Sequence, residues 1–330
     1  MEGLETPSKT EDLWWLFTRQ TIKVTPRQSV LSASMIMQRR NFRHLPVVDE
    51  KGRIMGMISA QDIIDSLNFV LSRPDLMTKE VIESLEIPVE RIMVYNSICV
   101  EPGDGLAEIT KKMTFHNLGG MPVVDEQGVV RGIITLRDLV GLMGTSSDEV
   151  GVRVSEIMNP NVITIGQNEY LSTAVRLMSE HRVRRLPVVP GGKGADAGVP
   201  KGILSNKDAL GRLAKVASVS LANPKGGAAV QTRFDTPISD FMTRDVITVS
   251  QDDDIRVAAS KMMIFGIGGL VVDDSPTGRV ALVTERDLIR TLSRKKGNTV
   301  LMNALQFELE VEKANARSSS AYGANPRART

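Results

Sequence analysis

The sequence predicts an α/β (α+β) protein built from four short repeats, each folded as β-α-β-β-α. Two observations lead to this prediction. A short apolar motif returns four times with matching flanks, and the apolar residues around it alternate between strand-like and helix-like spacing. The length of 330 residues fits either two domains of ordinary size or several small repeated ones.

The motif that anchors each repeat is an apolar run in which proline usually stands second. It occurs as Leu45–Asp49, Met121–Asp125 and Leu186–Val189, and more weakly as Leu270–Asp273. At a constant distance upstream of each anchor lies an aliphatic residue, at Val30, Leu106, Leu171 and Ile255. The third repeat departs from this register only by an insertion between Gly191 and Pro200. A four-fold match of this kind indicates an internal repeat.

The elements of a repeat follow from its spacing. Short apolar strands come first, at Thr21–Val24, Val162–Ile165 and Val246–Val249. A helix follows, because Ile255, Ala258, Ala259 and Met262 have the spacing of one helical face. The anchor then predicts a buried strand, and a turn leads to a second apolar strand. Ser or Thr, followed three residues later by Asp, begins the second helix.

A single repeat is too small to bury a stable core alone, so we expect repeats one and two to pair, and likewise three and four. The predicted repeats span 12–73, 88–146, 152–216 and 236–296. The sequence predicts a linker over 217–235, a C-terminal helix over 297–315 and a disordered tail over 316–330.

Composition argues against several classes of function. Lys plus Arg number 41 and Asp plus Glu 39, so the net charge of +2 argues against nucleic acid as a partner. No apolar stretch has the length of a membrane span, and the first residues lack the apolar core of a signal peptide. The single cysteine, Cys99, and three separated histidines show no metal-ligand spacing. With no nucleophile–base pair in view, we expect a cytoplasmic protein that is not an enzyme.

These repeats resemble the cystathionine-β-synthase (CBS) domain over nearly the whole stretch from Thr21 to Leu292. The resemblance rests on the first strand and helix, the Pro-Val-Val strand and the Ser/Thr-x-x-Asp ending. It implies two pseudo-two-fold (Bateman) modules that can form a disk within one chain. It also implies that clefts between repeats bind AMP, ADP, ATP or S-adenosylmethionine as regulatory ligands, and that an unknown protein partner responds to the bound ligand. Whether the protein forms a homodimer is left open.

The Ser/Thr-x-x-Asp turns have two interpretations, and the sequence leaves both open. One is a capping box, which satisfies the free N–H groups of a helix start without any ligand. The other is a nucleotide site, in which the helix start and hydroxyl bind phosphate and the carboxylate accepts from ribose hydroxyls. The resemblance implies the second pair of roles. The candidate phosphate ligands are Ser59, Thr135, Ser205 and Thr284, and the candidate ribose ligands are Asp62, Asp138, Asp208 and Asp287.

Basic residues extend the list of candidate phosphate ligands. Arg137, Lys207 and Arg286 precede the Asp in three repeats, where repeat one has Gln61. Before the anchor strand, repeats one and three carry two basic residues, at Arg43, His44, Arg184 and Arg185. Arginine can bind phosphate through two hydrogen bonds, although each of these residues could instead lie on a solvated surface.

Repeats two and four differ at the same place, because they carry glycine pairs at Gly119-Gly120 and Gly268-Gly269. The glycines could admit a closely approaching backbone or ligand, or could simply form the turn into the strand. Repeat four also has Val271 and Ala281 in place of the proline and glycine of the other repeats. Of the four clefts, we therefore expect this one to be altered or empty.

Overall fold

Each predicted repeat folds as a small sheet with two helices, which confirms the mixed α/β class. The computed structural model of the protein describes residues 13–71, 78–146, 149–190, 199–222, 236–273 and 280–294. None of the helices in these ranges is long and apolar enough to cross a membrane.

The N-terminal half contains repeats one and two. Repeat one comprises α1 (Val30–Arg40), β1 (His44–Val48), β2 (Ile54–Ser59) and α2 (Ala60–Leu71). The connection includes α3 (Thr78–Glu86) and the short strand β3 (Val94–Tyr95), which pairs with β2. Repeat two comprises α4 (Leu106–Phe115), β4 (Gly120–Val124), β5 (Val130–Thr135) and α5 (Leu136–Thr145).

The C-terminal half repeats this order. Repeat three comprises β6 (Ile165–Gly166), α6 (Leu171–Glu180), β7 (Arg185–Val189), β8 (Gly202–Ser205) and α7 (Asn206–Ala222). Repeat four comprises β9 (Thr248–Ser250), α8 (Ile255–Ile264), β10 (Gly269–Asp273), β11 (Ala281–Thr284) and α9 (Glu285–Arg294).

The first strand of each repeat is shorter than predicted. In repeats three and four it starts later than the sequence suggests and runs parallel to the anchor strand. In repeats one and two the expected strand is a single parallel bridge, Val24 to Val47 and Val100 to Val123. In repeats one and three the residues just upstream, Ile22 and Ile163, line cavities between repeats rather than extending the sheet.

The expected pairing of repeats is present through their sheets. An antiparallel bridge between Arg53 and Val129 joins repeats one and two, and Val48, Val124 and Val130 form a small apolar cluster there. Repeats three and four meet around a different apolar cluster, Val162, Val271 and Leu282, beside an antiparallel bridge between Asn159 and Leu282. These contacts define an N-terminal module of repeats one and two and a C-terminal module of repeats three and four.

The two main hydrophobic cores cross from one module to the other. One core combines repeats one and three, with α2 packed on α6 and α1 on α7. The second combines repeats two and four, with α5 packed on α8. The N-terminal Leu13, Leu16 and Phe17 are buried in this second core. The helices therefore join the modules, and each main core is continuous across their junction.

Helix α7 extends further than the sequence suggests. It continues to Ala222 and so enters the segment 217–235 that was predicted to be a linker. The reason is that Val216 and Ala217 are buried in the helix that packs against α1. The rest of the predicted linker, the C-terminal helix over 297–315 and the tail over 316–330 lie outside the described residues.

Candidate ligand-binding clefts

The four Ser/Thr-x-x-Asp turns form the same helix cap. In each, Oδ2 of the aspartate accepts from the backbone N–H three residues earlier, at 2.7 Å for Asp62, 2.6 Å for Asp138, 2.9 Å for Asp208 and 2.9 Å for Asp287. The hydroxyls of three repeats also donate to this oxygen, those of Thr135, Ser205 and Thr284. Because Oδ1 takes no part in the cap, capping and ligand binding are compatible, and the ligand roles stay predictions.

Burial raises the pKa of two of these carboxyls. Desolvation raises the pKa of Asp62 and of Asp138, and it outweighs the hydrogen bonds from Ser59 and Thr135 that favour the charged form. An aspartate in such an environment gains from a hydrogen-bond donor such as a ribose hydroxyl, since the donor replaces lost hydration.

Three of the turns open onto cavities. The Asp138 cleft has a volume of about 270 Å³, the Asp287 cleft about 190 Å³ and the Asp208 cleft about 130 Å³. Each cavity joins the Ser/Thr-x-x-Asp turn of one repeat to the turn before the anchor strand of its module partner. This arrangement brings most of the predicted site residues together.

The structure shows which cleft each basic pair faces, a question that the sequence left open. Arg43 and His44 of repeat one line the Asp138 cleft of repeat two. Arg184 and Arg185 of repeat three line the Asp287 cleft of repeat four. The Asp208 cleft instead faces Gly268 and Gly269, with Arg185 at its edge. Each basic pair thus lines the cleft of its neighbour in the module, while Arg43 also lines the other two cavities and Arg185 also lines the Asp208 cleft of its own repeat.

The cleft of repeat four is open despite the two substitutions that led us to expect the most altered cleft. Ala281 is fully buried in the sheet, and Val271 belongs to the apolar contact between the sheets of repeats three and four. Neither substitution closes the cavity beside Asp287.

The glycine pairs provide room for side chains. None of the four glycines has a positive φ, so the turn itself does not require glycine. A Cβ on Gly119 would lie 2.8 Å from Nε2 of His44 and 2.8 Å from Nη1 of Arg184. A Cβ on Gly268 would lie 2.6 Å from a carboxylate oxygen of Glu285 and would also meet Arg185. The basic halves and the glycine halves are therefore sterically complementary.

The basic residues that precede the aspartates have protein partners in the opposite module. Lys207 donates to the side-chain carbonyl of Asn41, and Arg286 donates to that of Asn117. Arg137 donates through Nε to the carboxylate of Glu285 at 3.3 Å. These contacts hold the modules together, a role that the sequence analysis missed; phosphate binding by these residues stays a prediction.

Glu285 is the site residue that sequence reasoning overlooked. Its side chain is 7% exposed, and both of its oxygens accept from Nη2 of Arg43, at 2.9 and 3.1 Å. Burial alone would raise the pKa of this carboxyl, but Arg43, Arg185 and Arg137 together hold it below its usual value. One feature of the sequence could have identified Glu285. At the same position the other repeats carry uncharged residues, Ala60, Leu136 and Asn206.

The centre of the molecule concentrates positive charge. Burial lowers the pKa of Arg184 and Arg185 to about 10, and neighbouring arginines contribute to the shift. Burial likewise places the pKa of His44 well below 6.5, with added repulsion from Arg184 and Arg43, so His44 is neutral near pH 7. Such a cluster of cations attracts anions.

Comparison with known proteins identifies the repeats. The CBS domain family model matches residues 12–68, 89–144, 154–215 and 238–294, which together are more than half of the chain. An uncharacterized 33.4 kDa protein in the ribosomal RNA operon of Thermofilum pendens is 33% identical over 288 residues, which cover 86% of this chain and 91% of that protein.

A second relative has a known structure. The uncharacterized protein MJ1225 of Methanocaldococcus jannaschii is 26% identical over 279 residues, covering 82% of this chain and 95% of that protein. Its crystal structure, described with the suggestion that it is an archaeal homologue of γ-AMPK, superposes with a TM-score of 0.70 at 25% identity, over 84% of this chain and 98% of that one. The two relatives match this chain nearly end to end.

Proposed function

Since the chain belongs to the CBS-domain family, we propose that it is a non-catalytic regulatory protein that binds AMP, ADP, ATP or S-adenosylmethionine between its repeats. Ligand binding would change how the two modules pack, and a protein partner would respond to that change. We also propose a cytoplasmic location, in keeping with a single cysteine in the whole chain.

One observation carries this proposal, the composition of the Asp138 cleft. Arg43 and His44 reach this cavity from repeat one, while Thr135 and Asp138 reach it from repeat two. The helix start and the cations suit a phosphate, and the free side of the carboxylate suits a ribose. Ile133 contributes apolar surface that suits a base. The cations favour a phosphate-bearing ligand over the positively charged S-adenosylmethionine.

A second candidate is a scaffold whose clefts bind nothing. A specific observation favours it, because the helix caps and the ion pairs of Glu285 give several polar groups of the site a protein partner without a ligand. In that case the four repeats would only present a surface to a partner. Direct binding measurements separate the two candidates.

The test is isothermal titration of the full chain with AMP, ADP, ATP and S-adenosylmethionine, repeated on Asp138→Asn. This substitution keeps an oxygen for the cap but removes the charge that a ribose hydroxyl would meet. We expect binding to at least one nucleotide and a loss of roughly tenfold or more in affinity at one site in the variant.

Asp253→Asn provides the matched control. Asp253 also accepts from a backbone N–H three residues earlier, that of Ser250, but it lies in the turn before α8. Its substitution should leave nucleotide affinity unchanged. If none of the four ligands binds the wild-type chain at millimolar concentration, the regulatory proposal is wrong and the scaffold is favoured.

A further inference from the structure

Glu285 interrupts the four-fold repeat at a structurally central point. It occupies the first turn of α9, directly after Thr284, where the other repeats have Ala60, Leu136 and Asn206. A buried carboxylate requires cationic partners, because an unpaired buried charge is strongly unfavourable. The partners come from the three other repeats.

Three arginines surround this one carboxylate. Arg43 of repeat one and Arg137 of repeat two donate to its oxygens. Arg185 of repeat three stands beside it, since both would contact the same added Cβ on Gly268. The carboxylate therefore neutralises only part of the positive charge around it.

The same arginines line the clefts. Arg43 contributes to all three cavities, Arg137 to the Asp138 and Asp208 clefts, and Arg185 to the Asp287 and Asp208 clefts. A phosphate group that enters any of these clefts meets an arginine that already faces Glu285. The bound anion and the carboxylate must then share donors and repel one another.

We infer that Glu285 is a specificity-determining residue, an internal counter-anion that disfavours ligands with several phosphates and favours those with one. This inference rests on the proposed nucleotide binding and deepens it. The physical reason is that each added phosphate brings negative charge toward the same arginines, where Glu285 repels it. Removal of the carboxylate charge should relieve the repulsion most for the most highly charged ligand.

The experiment compares the wild-type chain with Glu285→Gln by isothermal titration with AMP, ATP and inorganic pyrophosphate. Glutamine preserves the shape and one acceptor oxygen while removing the charge. We expect the variant to bind ATP and pyrophosphate roughly tenfold more tightly than wild type, and AMP no more than about threefold more tightly. The ratio of ATP to AMP affinity is the decisive quantity.

Asp104→Asn is the matched control, because Asp104 is also a partly buried carboxylate paired with a cation, Lys112 at 2.6 Å, but lies before α4. Its substitution should leave the affinity ratio as in wild type. If Glu285→Gln does not fold, Glu285→Asn replaces it, since repeat three carries Asn206 at the same position.

The outcomes separate this inference from the proposed function. If nucleotides bind and Glu285→Gln leaves the ratio of ATP to AMP affinity unchanged, the inference is wrong and the proposed function stands. If no nucleotide binds either chain but pyrophosphate binds Glu285→Gln more tightly than wild type, the counter-anion role is supported and nucleotide regulation is wrong. If pyrophosphate and the nucleotides all fail to bind both chains, both proposals are wrong.

Discussion

His44 illustrates how a single residue can take an unusual state from its neighbours. It stands where the basic pair of repeat one meets Arg184 of repeat three and Gly119 of repeat two. Burial and like charge hold it neutral, so it can accept a hydrogen bond or a proton when an anion arrives. A bound phosphate would raise the pKa of His44 by supplying the opposite charge.

Acid should therefore weaken the folded chain through His44. The pKa of His44 in the folded state lies below 6.5, while the unfolded chain keeps a value near 6.5. As pH falls below 6.5, His44 binds a proton in the unfolded state but not in the folded state. The free energy of unfolding therefore falls. Between pH 7.5 and 5.5, wild type should lose about 1 kcal/mol more stability than His44→Gln, as measured by urea denaturation.

The control for this measurement is His181→Gln, at the exposed C-terminal end of α6. It measures how much of the difference comes from replacing any histidine with glutamine. Equal pH profiles for wild type and His44→Gln would contradict the assigned environment.

The missing side chain of Gly119 leaves space for His44 and Arg184. An added methyl group would displace the ends of the His44 and Arg184 side chains, so Gly119→Ala should lower the free energy of unfolding by up to about 1 kcal/mol. Gly141→Ala is the control, because Gly141 lies in α5 with open space around its missing Cβ and should gain up to about 1 kcal/mol from helix propensity. Thermal unfolding of both variants is the measurement; stabilisation by both would argue that the contact is relaxed.

At the scale of single residues, the sequence located the site residues that recur at matching positions of the repeats. It was incomplete where one repeat differs from the others. The Ser/Thr-x-x-Asp turns and the basic and glycine halves could be found by alignment of the repeats to one another. Glu285 could not be ranked, because its importance depends on Arg43, Arg137 and Arg185, which meet it only in three dimensions. The choice of cleft for each basic pair also required the folded arrangement.

At the scale of elements, the first helix of every repeat ends in the same left-handed turn. The positions in register are Asn41, Asn117, Arg182 and Gly266, with φ of 59°, 57°, 52° and 63°. Asparagine and glycine adopt this conformation readily, whereas for arginine it is unfavourable. The sequence contained this signal, but it emerges only once the helix ends are known.

Repeat three should therefore gain stability from glycine at its helix end. Arg182→Gly removes the cost of the left-handed backbone and should raise the free energy of unfolding by about 0.5–1 kcal/mol in chemical denaturation. Arg176→Gly, within α6, should lower it by about 1 kcal/mol. A loss of stability in Arg182→Gly would show that the arginine side chain contributes more than its backbone costs.

The first strands show what an apolar sequence pattern cannot distinguish. Short apolar runs predicted the first strands, yet in repeats one and two only Val24 and Val100 bridge to the anchor strand. Upstream residues such as Ile22 contact a cavity between repeats instead. Burial against a neighbouring repeat produces the same apolar pattern as burial within a sheet, so the pattern alone could not separate them.

At the scale of the whole molecule, the two modules depend on each other for apolar burial. Sequence reasoning predicted pairs of repeats from the small size of one repeat, and the sheets follow that pairing. It did not predict that the larger cores would join repeat one to three and two to four. Helix faces do not specify which helices will cover them, since any apolar partner of suitable shape suffices.

The N-terminal module alone should therefore self-associate. A chain of residues 12–146 exposes the faces of α1, α2 and α5 that the second module normally covers, and a second copy offers the same apolar surfaces. Analytical ultracentrifugation should show a dimer at micromolar concentration. In the full chain, Gly144→Leu should lower the free energy of unfolding, because α5 approaches α8 closely at Gly144, where an added Cβ would lie 3.1 Å from the backbone nitrogen of Ser260. A well-folded monomer would contradict this account.

The crossing of the two cores has a consequence for how the molecule comes apart. Each core draws on both halves of the chain, so neither half keeps an intact interior once the other is lost. Melting in a calorimeter should then be a single cooperative transition rather than two. For the same reason, a molecule held in one half would slow amide hydrogen exchange in the other, across a distance that no direct contact spans.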